Sequence, residues 1–101
     1  MNYFFMFIIY NLTIVFVHGG DLMELNHAVS RRLLELLSEK KLTQYQLSSL
    51  SGLPRSTISN IVNCTYDSVK LRIIHELCQG LRIGINDFFD SPIFYEENLD
   101  P

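Results

Sequence analysis

Residues 43–63 read TQYQLSSLSGLPRSTISNIVN, and this run predicts two short helices joined by a tight turn. Thr43 is a good N-cap, and Gln46 three residues later completes a capping box, in which each side chain bonds the other residue's backbone N–H. Leu47 and Leu50 are expected to give the first helix an apolar edge, joined across the turn by Leu53. Gly52 falls where that helix must stop, because glycine takes a positive φ there without steric cost. Pro54 cannot continue a helix but can start one. The second helix is expected over about Arg55 to Val62, burying Ile58 and Ile61 and turning Arg55, Ser56, Ser59 and Asn60 outward, with Thr57 to the side. A helix face that is small, polar and almost uncharged suits close approach to another polar surface, such as the base edges in a DNA major groove.

The same residues carry a resemblance. Leu42-Thr43-Gln44, Leu47, Gly52-Leu53 and Arg55-Ser56-Thr57-Ile58-Ser59 resemble the helix-turn-helix of the phage-repressor class, the Cro/cI-type or XRE family. The likeness continues through Leu71, Ile74, Leu77, Cys78, Leu81, Ile83 and Ile85-Asn86-Asp87-Phe88-Phe89, which match that family's fourth and fifth helices. It spans roughly Leu25 to Phe89. It implies an all-α fold, a five-helix lambda-repressor-like DNA-binding domain, here with an extra apolar N-terminal segment. The expected division is residues 1–22 for that segment, 23–90 for the helix-turn-helix domain and 91–101 for an acidic tail.

Roles follow residue by residue. Arg55 and Ser56 start the recognition helix, the end that enters the groove first, and an arginine there can take guanine O6 and N7 as a bidentate pair; phosphate contact alone is the alternative. Asn60, one turn beyond Ser56, is placed to read adenine, and Ser59 is small enough to permit close approach. The resemblance implies that Gln44 bonds a phosphate and supports the recognition helix, and the N–H groups at its helix start point the same way. Asn63, Thr65, Tyr66 and Lys70 are expected on the DNA backbone.

Bulk composition agrees once it is resolved along the chain. The formal net charge is −3 over 101 residues, which leaves room for one domain. From Arg31 to Arg82, eight Lys/Arg face four acidic residues, whereas residues 87–100 hold five acidic residues and no basic one. A mildly basic body with an acidic tail is compatible with DNA binding, because distribution matters more than the sum. Cys64 and Cys78 make no disulfide framework, and Cys78 falls on an apolar stripe, so a buried thiol in a reducing cytoplasm is expected. Cys64, Cys78 and His75 have no metal-site spacing, and no cofactor is expected. His27 and His75 are read as partly buried structural residues. With no carboxylate pair, phosphate loop or Ser-His-Asp spacing, no enzyme is expected.

The flanks complete the reading. A first helix is expected from Leu25 to about Lys40, with Leu25, Ala28, Val29, Leu33, Leu36 and Leu37 inside, Arg31, Arg32, Glu35 and Glu39 in water, and Asn26 or Asp21 as cap. Ser68 is expected to cap the fourth helix, with Val69, Ile73 or Ile74, Leu77 and Leu81 on its inner face. Arg82 stands where the family has a C-terminal glycine, so a distorted or frayed exit is expected. Ile93, Phe94 and Tyr95 need a cover, either the domain's own core or a two-fold partner.

Residues 1–17, MNYFFMFIIYNLTIVFV, are almost wholly apolar, and no Lys or Arg precedes Arg31. The run is short of the ~20 apolar residues of a spanning helix and lacks the basic start and cleavage site of a signal peptide. The favoured expectation is that translation begins at Met23, since Gly19-Gly20-Asp21 can be encoded as a ribosome-binding purine run. A membrane anchor and a packing segment are the alternatives, and a membrane partner is not expected.

The sequence therefore predicts a cytoplasmic, sequence-specific transcriptional regulator, a repressor, that binds double-stranded DNA as a homodimer. The rival is an antitoxin-like or other protein-interaction module on the same fold, docking a partner through Ile93–Tyr95.

Overall fold

The structure, a computed structural model, describes residues 22–101. The expectations for residues 1–21, including the anchor, the packing segment and Asp21 as a cap, lie outside the described residues. Five α-helices follow in order: α1 (Leu25–Lys40), α2 (Gln44–Ser51), α3 (Arg55–Val62), α4 (Leu71–Leu81) and α5 (Ile85–Phe88), then two 3₁₀ turns at Pro92–Phe94 and Glu96–Asn98. This is the expected all-α, five-helix fold.

α1 packs on α3 and α4, and α2 packs on α3 and α4. Leu33, Leu47, Ile58, Ile61, Leu77, Cys78, Leu81 and Phe88 are fully buried between them. The α2–α4 contact is close because Gly80 faces Ser51: a Cβ on Gly80 would stand 2.8 Å from the Ser51 Cβ. The inner edge of α2 is therefore Leu47 and Ser51, one turn apart, and not Leu47 and Leu50. Leu50 is 57% exposed, which corrects the expectation for it. Leu25 is likewise exposed, because α1 meets the core only from Ala28 onward.

Three helices end on a left-handed residue. Gly52, at φ 79°, is the predicted one. Lys41 (φ 56°) and Arg82 (φ 62°) do the same work with side chains attached. At Arg82 the exit is neither frayed nor open: the Ile83 N–H donates to the Cys78 carbonyl at 3.0 Å and the Arg82 N–H to the Gln79 carbonyl at 3.2 Å. A non-glycine residue costs about 1–2 kcal/mol in this conformation, which those two bonds and the burial of Leu81 offset.

Other expectations change. Ser68 does not cap α4; the helix starts three residues later, with Lys70 as N-cap. Asn26 lies inside α1, whose N-cap is Glu24, and its amide donates to the Tyr66 carbonyl at 2.7 Å instead. Arg32 is not on the wet face. Its side chain is 11% exposed, and it ion-pairs with Glu35 at 2.7 Å while its Nε and Nη2 donate to the Phe88 and Asp87 carbonyls, each at 2.7 Å. A guanidinium can satisfy three acceptors from one plane, so it ties the end of α5 to α1 where a solvated arginine was expected.

The C-terminal apolar residues turn largely inward. Ile93 is buried, and the Phe94 ring packs on Phe89 at 4.9 Å and on Phe88 at 6.2 Å, while Tyr95 stays exposed. The chain beyond them is tied back to the start of the domain. The Met23 N–H donates to the Asn98 carbonyl at 3.0 Å and the Asp100 N–H to the Met23 carbonyl at 2.9 Å, a parallel bridge between Met23 and Leu99. Glu96, Glu97 and Asp100 point into solvent, as expected of them. Among the described residues no helix is long and apolar enough to cross a membrane.

Candidate nucleic-acid interface

The helix pair at residues 44–62 is held rigidly by local chemistry. The Gln46 N–H donates to Thr43 Oγ1 at 3.0 Å and the Thr43 N–H to Gln46 Oε1 at 2.9 Å, so the predicted capping box is complete. The turn is closed by the Ser48 hydroxyl, which donates to the Leu53 carbonyl at 2.7 Å. Ile58 and Ile61 fasten α3 to the core, and the Ser30 hydroxyl donates to the Val62 carbonyl at 2.6 Å, fixing its far end to α1. With one face so anchored, the opposite face must point out. Arg55 and Ser56 are exposed, and Ser59 and Asn60 are half-buried on the same side.

The predicted residues fall into two groups. Gln44, Arg55, Ser56 and Ser59 come together around an open cleft of about 400 Å³ between the starts of α2 and α3. The remaining group surrounds the exit of α3. There the Asn60 amide donates to the Tyr66 hydroxyl at 3.0 Å, the Asn63 amide to Ser59 Oγ at 3.3 Å, and the Thr65 N–H to the Asn60 carbonyl at 2.9 Å. Asn63, Thr65, Tyr66 and Lys70 are exposed, Lys70 as the N-cap of α4. Cys64 takes φ 57° beside them, a left-handed conformation that favours glycine.

The cleft has one member that sequence reasoning missed. Tyr45 lines it, and the Arg55 guanidinium carbon lies 4.8 Å from the centre of the Tyr45 ring. The signal was available: an aromatic residue in the first turn of a short helix whose inner edge is already supplied by Leu47. Among the described residues no carboxylate is in ion-pair contact with Arg55; the ion pairs present are Arg32–Glu35 and Arg72–Glu76. α2 and α3 contain no acidic residue, and Arg55 is their one formal charge.

His27 and His75 are exposed, not partly buried as expected. Cys78 is a buried free thiol, and burial first, then the Asp87 carboxylate, with Arg32 opposing, push its pKa up to about 11. Among the described residues no group of three His, Cys, Asp or Glu side chains could hold a metal ion.

The chain belongs to the family of Cro/C1-type HTH DNA-binding domains, whose model matches residues 32–92. Three solved structures are similar to it. The restriction-modification controller protein C.AhdI from Aeromonas hydrophila is 33% identical, over 63% of this chain and 96% of that one, with a TM-score of 0.58. The controller protein C.Esp1396I is 27% identical, over 65% and 84%, with a TM-score of 0.61. Prophage Lp1 protein 11 is 31% identical, over 73% and 99%, with a TM-score of 0.65. A sequence comparison with curated proteins gives no match.

Proposed function

We propose that this protein is a sequence-specific transcriptional regulator of a bacterium, or of a phage or mobile element within one, that represses by occupancy in the bacterial cytoplasm, placing α3 in the major groove of promoter DNA. It acts as a homodimer on a pseudo-palindrome, with its two recognition helices about 34 Å apart. Arg55, Ser56, Ser59 and Asn60 read bases. Gln44, Asn63, Thr65, Tyr66 and Lys70 hold the DNA backbone. The observation that carries this reading is the outer face of α3, polar along its length, led by an arginine that has no acidic partner among the described residues and backed by two buried isoleucines. Membership of a DNA-binding family supports it, as does the likeness to two controller proteins of restriction-modification systems.

The antitoxin-like alternative loses part of its docking segment, because Ile93 and Phe94 already pack on the domain's own core. Random-site selection followed by gel-shift titration tests the proposal. The expected result is one enriched pseudo-palindrome bound at least about a thousandfold more tightly than random DNA. Binding that never rises above the non-specific level sinks it in favour of the interaction module.

A further inference from the structure

The contact between Tyr45 and Arg55 has a chemical asymmetry. A guanidinium is planar, with its five N–H donors in the plane and none on its faces. A carboxylate neighbour would hold Arg55 by those donors, competing for the very groups that guanine O6 and N7 need, and would repel phosphate. An aromatic ring holds the cation by its face. The Arg55 carbon lies 4.8 Å from the Tyr45 ring centre, so the cation rests over a ring of α2, and among the described residues no carboxylate takes up its N–H donors.

The surroundings suit that division. Tyr45 is 59% exposed, so its ring is not there to fill the core. It sits next to Gln44 on a helix whose start is fixed by the Thr43–Gln46 capping box, so the ring has a rigid base. Both side chains line one open cleft with Ser56 and Ser59, and among the described residues no carboxylate pairs with Arg55. A free arginine carries several rotatable bonds whose ordering on binding costs free energy; a side chain already resting over a ring has lost part of that freedom before DNA arrives.

We infer that Tyr45 is a positioning residue for base reading: its ring holds the Arg55 guanidinium by one face and presents the edge of that group to guanine. The inference rests on the DNA-reading proposal above and assigns Tyr45 no contact with a base of its own. Its effect is specific to one base pair per half-site, the one that Arg55 reads.

The test uses the full chain and the duplex that random-site selection yields. At the position where Arg55→Ala relaxes the preference, the affinity ratio of guanine to adenine is measured for the wild type, Tyr45→Phe, Tyr45→Leu and the Tyr45→Leu/Arg55→Ala double variant. Tyr45→Leu is expected to reduce that ratio about two- to fivefold, the size of an exposed cation–π contact, with ratios at other positions unchanged. Tyr45→Phe keeps the ring and should keep the ratio. The double variant should discriminate no worse than Arg55→Ala alone.

In the free protein, the Arg55 side-chain proton resonances should show an upfield ring-current shift that Tyr45→Phe retains and Tyr45→Leu abolishes. Several outcomes overturn the inference: an unchanged ratio in Tyr45→Leu, an equal loss at every position, a loss in Tyr45→Phe as large as in Tyr45→Leu, or no ring-current shift in the wild type. If selection with the wild type enriches no sequence, the DNA-reading proposal itself fails, and the inference falls with it before any variant is made.

Discussion

Arg32 of α1 donates from Nε to the carbonyl of Phe88, 2.7 Å away and 56 residues later in the chain. Phe88 is fully buried, and α5 consists of four residues, too few to hold a helix by its own hydrogen bonds. Arg32 therefore acts as the outside cap of the last helix, binding its terminal carbonyls at Asp87 and Phe88 together.

Replacing Arg32 should destabilise the fold although it sits outside the apolar core. Arg32→Met keeps most of the apolar stem and removes the charge-assisted bonds, leaving the Asp87 and Phe88 carbonyls without this donor. The expected loss is about 2–4 kcal/mol, read as a lower midpoint in urea denaturation. Arg32→Lys should recover only part of it, since one ammonium cannot reach both carbonyls in the fork geometry. A midpoint unchanged in both variants would mean that Arg32 is solvated after all.

Gly80→Ala should also destabilise, against helix propensity, which favours alanine by about 1 kcal/mol. The added Cβ would stand 2.8 Å from the Ser51 Cβ and 3.0 Å from the Ser51 Cα. Forcing α2 and α4 apart should cost about 1–3 kcal/mol and lower the melting temperature. In a double-mutant cycle with Ser51→Gly, part of the loss should be recovered, because the 2.8 Å contact disappears and the backbone contact does not. A stabilised Gly80→Ala variant would contradict the close approach.

Cys78 makes stability fall in alkali. Its thiol is pushed from an ordinary 9.0 to about 11 in the folded chain, chiefly by burial. Above pH ~9 the unfolded chain releases the proton while the folded one keeps it, so this group's contribution is intact below that pH and is lost up to about 11. The limit of the loss is roughly 2–3 kcal/mol. Cys78→Ala leaves a small cavity and is less stable at neutral pH, yet should lose less stability than the wild type between pH 8.5 and 10.5. Parallel losses in urea titrations of the two proteins would rule the linkage out.

On DNA, Arg55→Ala and Gln44→Ala should fail differently. Arg55→Ala should cost about 1–3 kcal/mol of discrimination at one position per half-site. Gln44→Ala should weaken binding to all sequences about equally, as loss of a phosphate contact does. Gel-shift titrations against single-base variants of the selected site separate the two, and equal losses of preference would refute the division of labour between these residues.

Much of the helix-turn-helix is legible because its determinants are local. Thr43 with Gln46, Gly52 at positive φ, and the Ile58/Ile61 pair act within one helical turn of each other, and the observed helix bounds match the expected ones at α2 and α3. Where a competing local solution existed, the reading slipped. Ser68 looked like a cap for α4, but the helix starts beyond Lys70; Leu50 looked like core, but the small Ser51 takes the inward position that lets Gly80 approach. Of the candidate site, Gln44, Arg55, Ser56 and Ser59 are expected from the sequence and its resemblance, and the structure puts them around one cleft. Tyr45 was not, since its relation to Arg55 depends on the angle at which two helices meet.

The sequence by itself determined where the helices begin and end in the motif and which of their faces is polar, because capping bonds and apolar periodicity are properties of neighbouring residues. The tertiary structure alone decided that Arg32 closes α5, that Tyr45 lies under Arg55, and that residues 98–100 bond Met23. The first and last of those contacts join residues far apart in the chain and the second joins consecutive helices; all follow from how the helices cross, which packing of the shared core sets.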